Sequence, residues 1–464
     1  MIEVGLFDSG SSDFGHKESK DGVLVPEASL DDVFDYAQRI TLDNIRRMVL
    51  ADRLGYDQYW QSEHHLVTEG AELSSNPIQQ QTAAAALTKR IRFGQMANIL
   101  QFWHPVRLAE QLAILDVISG GRLDVGVGRG YQPREVETFG FSLGGTVQDQ
   151  ERNRAVHEEV IDALIECWSG DLFAHHGQFF SIPPTYTKWH HPQSIAQAED
   201  WGRDDIFDVG DPDFYSSGVG VMGSTTTVKK VAVLPQPVQK PVPPMWEPVF
   251  SERSVRFTAS RGINSFLLLE PNHLVKKRID IYMDEAEKKG WPETTGESIG
   301  PFKYGWDAGR RRGVGACRFM HIAQGEVGNL KKYEKNMDMQ WEYFGGFGFK
   351  AAVTPPGEKP DVNRPVDYKL MEDLELCLTG STQEVLEGIL KLRDECYPAD
   401  VSDFVINCYF EQVGLTEGET EEQMQVFAEE ILPELRRECG GAVERPESTV
   451  SLEPVIEVEP VASA

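Results

Sequence analysis

The sequence predicts an α/β protein built on parallel strands, and three observations lead there. Short branched apolar runs alternate with helical stretches along most of the 464 residues. Eight strand–helix units can be read from the chain, and that number favours a closed (β/α)8 barrel over an open doubly wound sheet. The run Gly120-Gly121-Arg122-Leu123-Asp124-Val125-Gly126-Val127-Gly128-Arg129-Gly130 is a short strand entered through a glycine turn and ended by a cation between two glycines. In a parallel fold, ligands bind where strands end, because the following loops and helix starts converge there.

The elements follow in order. Ile2 to Phe7 reads as a strand; Phe34 to Leu54 has Ile40, Ile45, Met48 and Val49 at helical spacing and stops at Gly55. Asp57 to Trp60 is the second strand, and Pro77 to Leu87, alanine-rich and capped by Asn76, the second helix. Arg92 to Leu100 is a strand, Pro105 to Ile118 a helix with proline in its first turn, Leu123 to Val127 a strand, and Glu151 to Trp168 a helix. The alternation breaks over 172–244, a polar, proline- and aromatic-rich insertion carrying Tyr186, Trp189, Trp201, Phe207, Phe214 and Tyr215, with short strand-like runs at Gly177 to Ile182 and Thr226 to Leu234. It resumes with strands at Met245 to Phe250, Ser265 to Leu269, Arg318 to Ala323 and Asp403 to Tyr409. Helices are expected at Ser251 to Arg261, His273 to Lys289, from Asn329, at Thr382 to Cys396 and at Glu419 to Arg437. The expected organisation is one barrel domain over 1–439, interrupted by the insertion, and a disordered acidic tail over 440–464.

Composition narrows the function classes. A net charge of −29, from 45 basic and 74 acidic residues, repels nucleic acid and anionic membranes over most of the surface. The six cysteines lie far apart with no C-x-x-C pair, which fits buried free thiols in a reducing cytoplasm. No run approaches eighteen consecutive apolar residues, so no membrane partner is expected. There is no Walker loop, no G-x-S-x-G elbow and no G-x-G-x-x-G fingerprint, which argues against an ATPase, a serine hydrolase and a conventional nicotinamide dehydrogenase.

Three places carry candidate chemistry. Arg129 ends the fourth strand, where a guanidinium is suited to gripping a phosphate through paired hydrogen bonds; a surface arginine on a tight turn is the plain alternative. Glu63-His64-His65 follows the second strand, and adjacent residues in extended backbone point opposite ways. One histidine can therefore face the barrel mouth for proton transfer while the other packs, although a structural histidine pair fits the same residues. A metal site is the weaker reading, since the segment lacks the one-turn spacing of a helical zinc site, and no metal is expected. Ser251 and Ser254 open the helix after the fifth strand, either as an ordinary cap or as an anion site. The loops after strands four and five are neighbours in a parallel barrel, so Arg129 and these two hydroxyls can share one phosphate.

Several ordered segments resemble the bacterial luciferase-like flavin monooxygenases. These are Trp60 through His65, Thr88 through Asn98, His104 through Glu110, Leu115 through Gly130, and Tyr131 through Gly140 with Glu135 and Phe139. Pro243 through Gly262 is similar to that family's fifth-strand and phosphate-loop segment, and Phe427 through Leu435 to its closing helix. The resemblance implies a (β/α)8 TIM barrel that binds reduced FMN and activates dioxygen as a flavin hydroperoxide to oxygenate a small organic substrate. It implies Arg129, Ser251 and Ser254 as phosphate ligands, His64 with Glu63 beside it as the catalytic group, Asn98 near the flavin ring and Tyr131 as its cover. It further implies a separate flavin reductase, since no nicotinamide site is seen, and a homodimer. A deazaflavin-dependent hydride-transfer enzyme on the same barrel and a non-catalytic flavin-binding protein are the alternatives. Two departures stand out: Gly128 occupies a position where light-emitting members can carry cysteine, and the 172–244 insertion is longer and more polar than the family pattern. The first argues against light emission, and the second denies inherited roles to residues of the insertion.

Overall fold

A computed structural model describes residues 1–11, 13–21, 24–144, 146–189, 191–210, 212–213, 223–224, 226–268, 270–289, 313–323, 330–397 and 404–442. Phe214, Tyr215, Leu269, Asp403 and most of the expected tail lie outside these residues. Eight strands form the barrel: β1 Ile2–Asp8, β2 Gln58–Gln61, β3 Arg92–Gln95, β4 Leu123–Gly128, β5 Met245–Pro248, β6 Asn264–Leu267, β7 Val314–Ile322 and β8 Phe404–Tyr409. Each pairs in parallel with the next, and β8 pairs with β1, for example Val4 opposite Ile406. The closing step is β4 to β5, where Val125 lies opposite Met245 and Gly126 opposite Trp246. The expected eight-unit closed barrel is therefore the architecture of the chain.

Local sequence explains the helices, and also where they depart from expectation. The first, α1 (Leu30–Leu54), starts four residues before Phe34, because Ser29 and Asp32 form a reciprocal capping box. It ends at Gly55 in the left-handed conformation. Helix α2 spans Pro77–Ala85 under the Asn76 cap, and α3 spans Pro105–Ser119. Helix α4 (Val147–Cys167) also starts early, on a Thr146/Asp149 capping box. Helix α5 (Glu252–Arg261) is capped by Ser251; α6 is Asn272–Lys288, α7 Leu330–Gly345 and α8 Thr382–Cys396. The expected final helix is Glu417–Val426 and Leu432–Glu438 joined by a turn of i→i+5 spacing over Phe427–Ile431. Pro433 lacks an amide hydrogen, so the chain ahead of it widens to keep its carbonyls paired. The third strand is shorter than expected, because the chain leaves the sheet at Met96 and re-enters it only at Asn98–Ile99. An added parallel strand, Cys377–Gly380, pairs with β7.

The chain divides into two compact units. The first holds residues 1–98, 115–128 and the chain from 243 onward, and contains all eight barrel strands. Its core is aromatic: Trp60 packs edge-on to Trp246 and Phe266 at 5.3 and 5.5 Å, and Tyr409 meets Phe7 and Phe319 at 4.8 and 4.6 Å. At the base, buried Arg92 forks onto Asp124 at 2.8 and 3.1 Å, and Arg122 donates to backbone carbonyls of Ala85, Thr88, Ile91 and Ser119. Burial lowers the Arg122 pKa to about 10. The second unit holds residues 99–114 and 129–242. There His175 lies between Glu159 and Glu166, and Glu159 also accepts the backbone amides of Gln178, Phe179 and Phe180. Residues 172–242 of the expected insertion fall within this unit, where Tyr186, Trp189 and Trp201 are exposed. All six cysteines are free and five are buried. Among the described residues no helix is long and apolar enough to cross a membrane.

Gly126 is where closure is most constrained. A Cβ at this position would sit 1.4 Å from the backbone oxygen of Gln95, an overlap that a side-chain rotation cannot relieve. Ordinary overpacking costs about 1–3 kcal/mol, and a clash with strand backbone exceeds it. Gly126→Ala is expected to abolish the folded protein. Gly170→Ala, where added carbon meets nothing within 4 Å, should remain folded at a cost of about 1 kcal/mol for its positive φ. Circular dichroism and urea unfolding of the two variants check this.

Candidate active site at the carboxyl ends of the barrel strands

The first rim element is a buried charge cluster between β1 and β8. Asp8 accepts from Arg47 at 3.0 Å, from the Tyr59 hydroxyl and from the Gly10 amide at 2.9 Å. Glu411, just past β8, accepts the amides of Ser9 and Gly10 at 2.6 and 3.1 Å and that of Ser11. The β1 loop is thereby wrapped round one carboxyl group. Complete burial, with Asp8 beside it, pushes the Glu411 pKa well above the usual carboxylate value. Arg47 leads outward through Asn44 to Gln80, which also accepts from Gln61 at the end of β2 at 2.7 Å. The alanine-rich α2 therefore holds strand ends with buried glutamines.

At the end of β2 the three candidate residues lie in one clamped segment. The His64 amide donates to Ser74 at 2.9 Å, and Ser74 Oγ returns a bond to the Ser62 carbonyl at 2.9 Å. His64 is buried, and its Nε2 lies 3.2 Å from Glu72 Oε1. Glu63 is also buried but lies with His65, at 3.3 Å. The carboxylate facing His64 thus comes from Glu72, eight positions on, while the adjacent Glu63 faces the second histidine.

Asn98 closes β3. Its Nδ2 donates to Gln95 Oε1 at 2.9 Å and to the Gly126 carbonyl at 2.8 Å, tying the ends of β3 and β4. Its Oδ1 is buried and has no hydrogen-bond partner among the described residues. A buried acceptor left unmade costs about 1–3 kcal/mol, which makes this oxygen a position for a ligand N–H.

Arg129 and Tyr131 belong to the second unit. Arg129 directly follows β4, is half-buried, and has no hydrogen-bond or ion-pair partner among the described residues. Gly130 beside it adopts φ +72°, and an added Cβ would press on Ile99 at 2.9 Å. Tyr131 is half-buried. In the first unit Ser251 caps α5, accepting the Ser254 amide at 3.2 Å, and the two hydroxyls lie 3.0 Å apart. Ser251 is exposed and Ser254 buried. Glu252 at the first helical position pairs with Lys277 at 2.5 Å, and that pairing lowers its pKa.

The sequence reading missed Glu72, Asp8, Glu411 and the α2 glutamines. Asp8 and Glu411 were visible as carboxylates just beyond apolar strands, and Gln79-Gln80-Gln81 as an amide run in an alanine helix. Glu72 carries no local signal, since only the path of its loop brings it to His64.

Fold and strand ends of the first unit define a parallel (β/α)8 barrel with helix-start hydroxyls, a buried acceptor and a carboxylate-backed histidine beyond its strands. The family model described as luciferase-like monooxygenase matches residues 32–222, less than half of the chain. The chain is 26% identical over 234 residues to the oxygenase component of the flavin-dependent trigonelline monooxygenase of Acinetobacter baylyi, covering 50% of this chain and 49% of that one. It spans less than half the length of the first curated relatives it matches. Among solved structures it is similar to the oxygenating constituent of 3,6-diketocamphane monooxygenase of Pseudomonas putida in complex with FMN. That likeness has a TM-score of 0.60 at 18% identity, over 93% of this chain and 98% of that one. It is also similar in fold to an F420-dependent secondary alcohol dehydrogenase, with a TM-score of 0.57 at 14% identity over 94% and 99%.

The Glu411 pKa sets a pH dependence with a definite sign. A carboxyl whose folded value is raised keeps its proton on folding, so its contribution is full below the unfolded value near 4.5 and declines as pH rises toward the folded value. Glu411→Gln, which cannot ionise, should gain stability relative to the parent between pH 5 and pH 8. Urea unfolding at the two pH values reads the difference, and a gap that shrinks with pH contradicts the assignment.

Proposed function

We propose that this protein is a flavin-dependent monooxygenase that uses reduced FMN and dioxygen to oxygenate a small organic substrate. The observation that carries the reading is Arg129: a half-buried guanidinium after β4 with no partner among the described residues, in a chain of net charge −29. A cation left unpaired among so many carboxylates is suited to an anionic ligand. The orphaned Asn98 Oδ1 fits a flavin, since it would accept a ring N–H. By the family resemblance, Arg129, Ser251 and Ser254 are proposed as ligands of its phosphate and Tyr131 as the cover of its ring. The flavin, when bound, supplies the electrons that activate dioxygen. The aromatic wall of Trp60, Trp246, Phe266 and Tyr409 keeps water from the barrel interior. His64, with Glu63 on the same segment, would hold and move the proton that oxygen chemistry requires.

The name of the Acinetobacter relative, an oxygenase component, supports a two-component arrangement in which a separate reductase supplies reduced flavin. We place the enzyme in the cytoplasm as a homodimer. The fold is equally that of an F420-dependent dehydrogenase, so deazaflavin hydride transfer is the second reading. Anaerobic titration with reduced FMN and with reduced deazaflavin, followed by a pulse of oxygenated buffer, separates them. Reduced-FMN binding and then a transient absorbance unlike free oxidised or reduced flavin is expected. Binding of deazaflavin alone would move the protein to the hydride-transfer branch.

Two variants test the residue roles. Arg129→Ala should weaken reduced-FMN binding by about 1.5–3 kcal/mol, roughly ten- to 150-fold, with unfolding little changed. Unchanged affinity in the folded variant removes the phosphate role. His64→Ala should keep flavin affinity within about threefold, a change under 1 kcal/mol, and lose product formation. Loss of binding instead would make His64 a cofactor-positioning residue.

A further inference from the structure

The backbone at Glu72 takes a left-handed conformation, φ +57°, in a residue that is neither glycine nor asparagine. Such a conformation costs a residue with a Cβ about 1 kcal/mol or more, and glycine would hold it freely. What a glycine could not provide is the carboxylate, and that group is buried and engaged on both oxygens. Oε1 lies 3.2 Å from His64 Nε2, and Oε2 accepts from the Tyr343 hydroxyl at 2.9 Å. The flanking chain is fixed independently, since Leu73 donates to the Gly10 carbonyl and His64 to the Ser74 carbonyl, both at 2.9 Å. Tyr343 is itself held on α7, its ring packed on Phe344 and Phe347 at 5.7 and 5.2 Å.

We propose that Glu72 is the positioning residue of His64, holding its ring orientation and tautomer through Nε2 and being held in turn by Tyr343. This rests on the reading of His64 as the proton-handling group. A carboxylate oxygen accepts, so His64 Nε2 carries the hydrogen of this contact. A carboxylate behind a working histidine is a recurrent way to fix which nitrogen does the chemistry. The other titratable groups nearby act differently: Glu63 pairs with His65, and Tyr409, whose hydroxyl burial keeps protonated, feels the Glu72 charge only at a distance.

The test is histidine NMR titration of the full chain without cofactor, with the His64 signal assigned by its loss in His64→Asn. In Glu72→Gln the midpoint of that signal should move down by roughly one pH unit, as expected when a close opposite charge is removed. Glu72→Gly, whose glycine suits the left-handed backbone, should still fold and show the same shift. In both variants the pH profile of flavin reoxidation after an oxygen pulse should move with the midpoint, at unchanged reduced-FMN affinity. A His64 midpoint that stays in place in both variants overturns the proposal, whatever cofactor the enzyme uses. Midpoint and FMN affinity changing together would do so as well, since Glu72 would then be serving the cofactor. A shifted midpoint in a protein that never reacts with oxygen would leave the pairing standing and overturn the monooxygenase reading instead.

Discussion

Closure of the barrel between β4 and β5 is the constraint on which the rest of the structure depends. Six of the eight strand contacts join strands that follow one another closely in the alternation and one joins β8 back to β1, but this one must be made across residues 129–242. Main-chain bonding holds it, with the Val125 amide donating to the Pro244 carbonyl at 2.7 Å. On the other side of β4, Gly126 lets the Gln95 backbone of β3 approach where any side chain would collide. Bringing together ends so far apart in sequence costs loop-closure entropy, and the aromatic packing of Trp60, Trp246 and Phe266 just inside the seam offsets it.

The neighbouring β3–β4 contact is tied by Asn98. It spends both amide hydrogens there, one on Gln95 and one on the Gly126 carbonyl, which leaves its oxygen unspent. Gly126 thus serves closure, and Gly130 the turn that follows Arg129. The glycine-rich motif is therefore a structural hinge as much as a ligand feature, and its cation is the part that chemistry can use.

On the far side of the mouth, polar groups are buried in linked networks rather than singly. Asp8, Arg47, Asn44, Gln80 and Gln61 form one chain, and Gln81, Gln95 and Asn98 another. In a low-dielectric interior such networks specify geometry, because each member is costly if left unpaired. Strand ends positioned in this way give His64 and Asn98 a rigid base, and Glu72 extends the principle to the histidine itself.

The sequence by itself determined the fold and most of its elements. Apolar alternation, caps such as Asn76 and Ser251, and the glycine stops at Gly55 and Gly262 are local signals, written within a few residues of the structure they specify. It also located His64, Asn98, Arg129, Ser251 and Ser254 at or just beyond strand ends or at a helix start, which is where the structure has them. It placed the starts of α1 and α4 too late, since capping boxes at Ser29 and Thr146 outweighed the first apolar residue. Tertiary structure alone decided partners: that His64 faces Glu72 while Glu63 faces His65, that Arg122 and Arg92 serve the barrel base, and that Glu411 gathers the β1 loop. These pairings join residues whose distance in sequence carries no period, and only the path of the folded chain brings them within hydrogen-bonding reach.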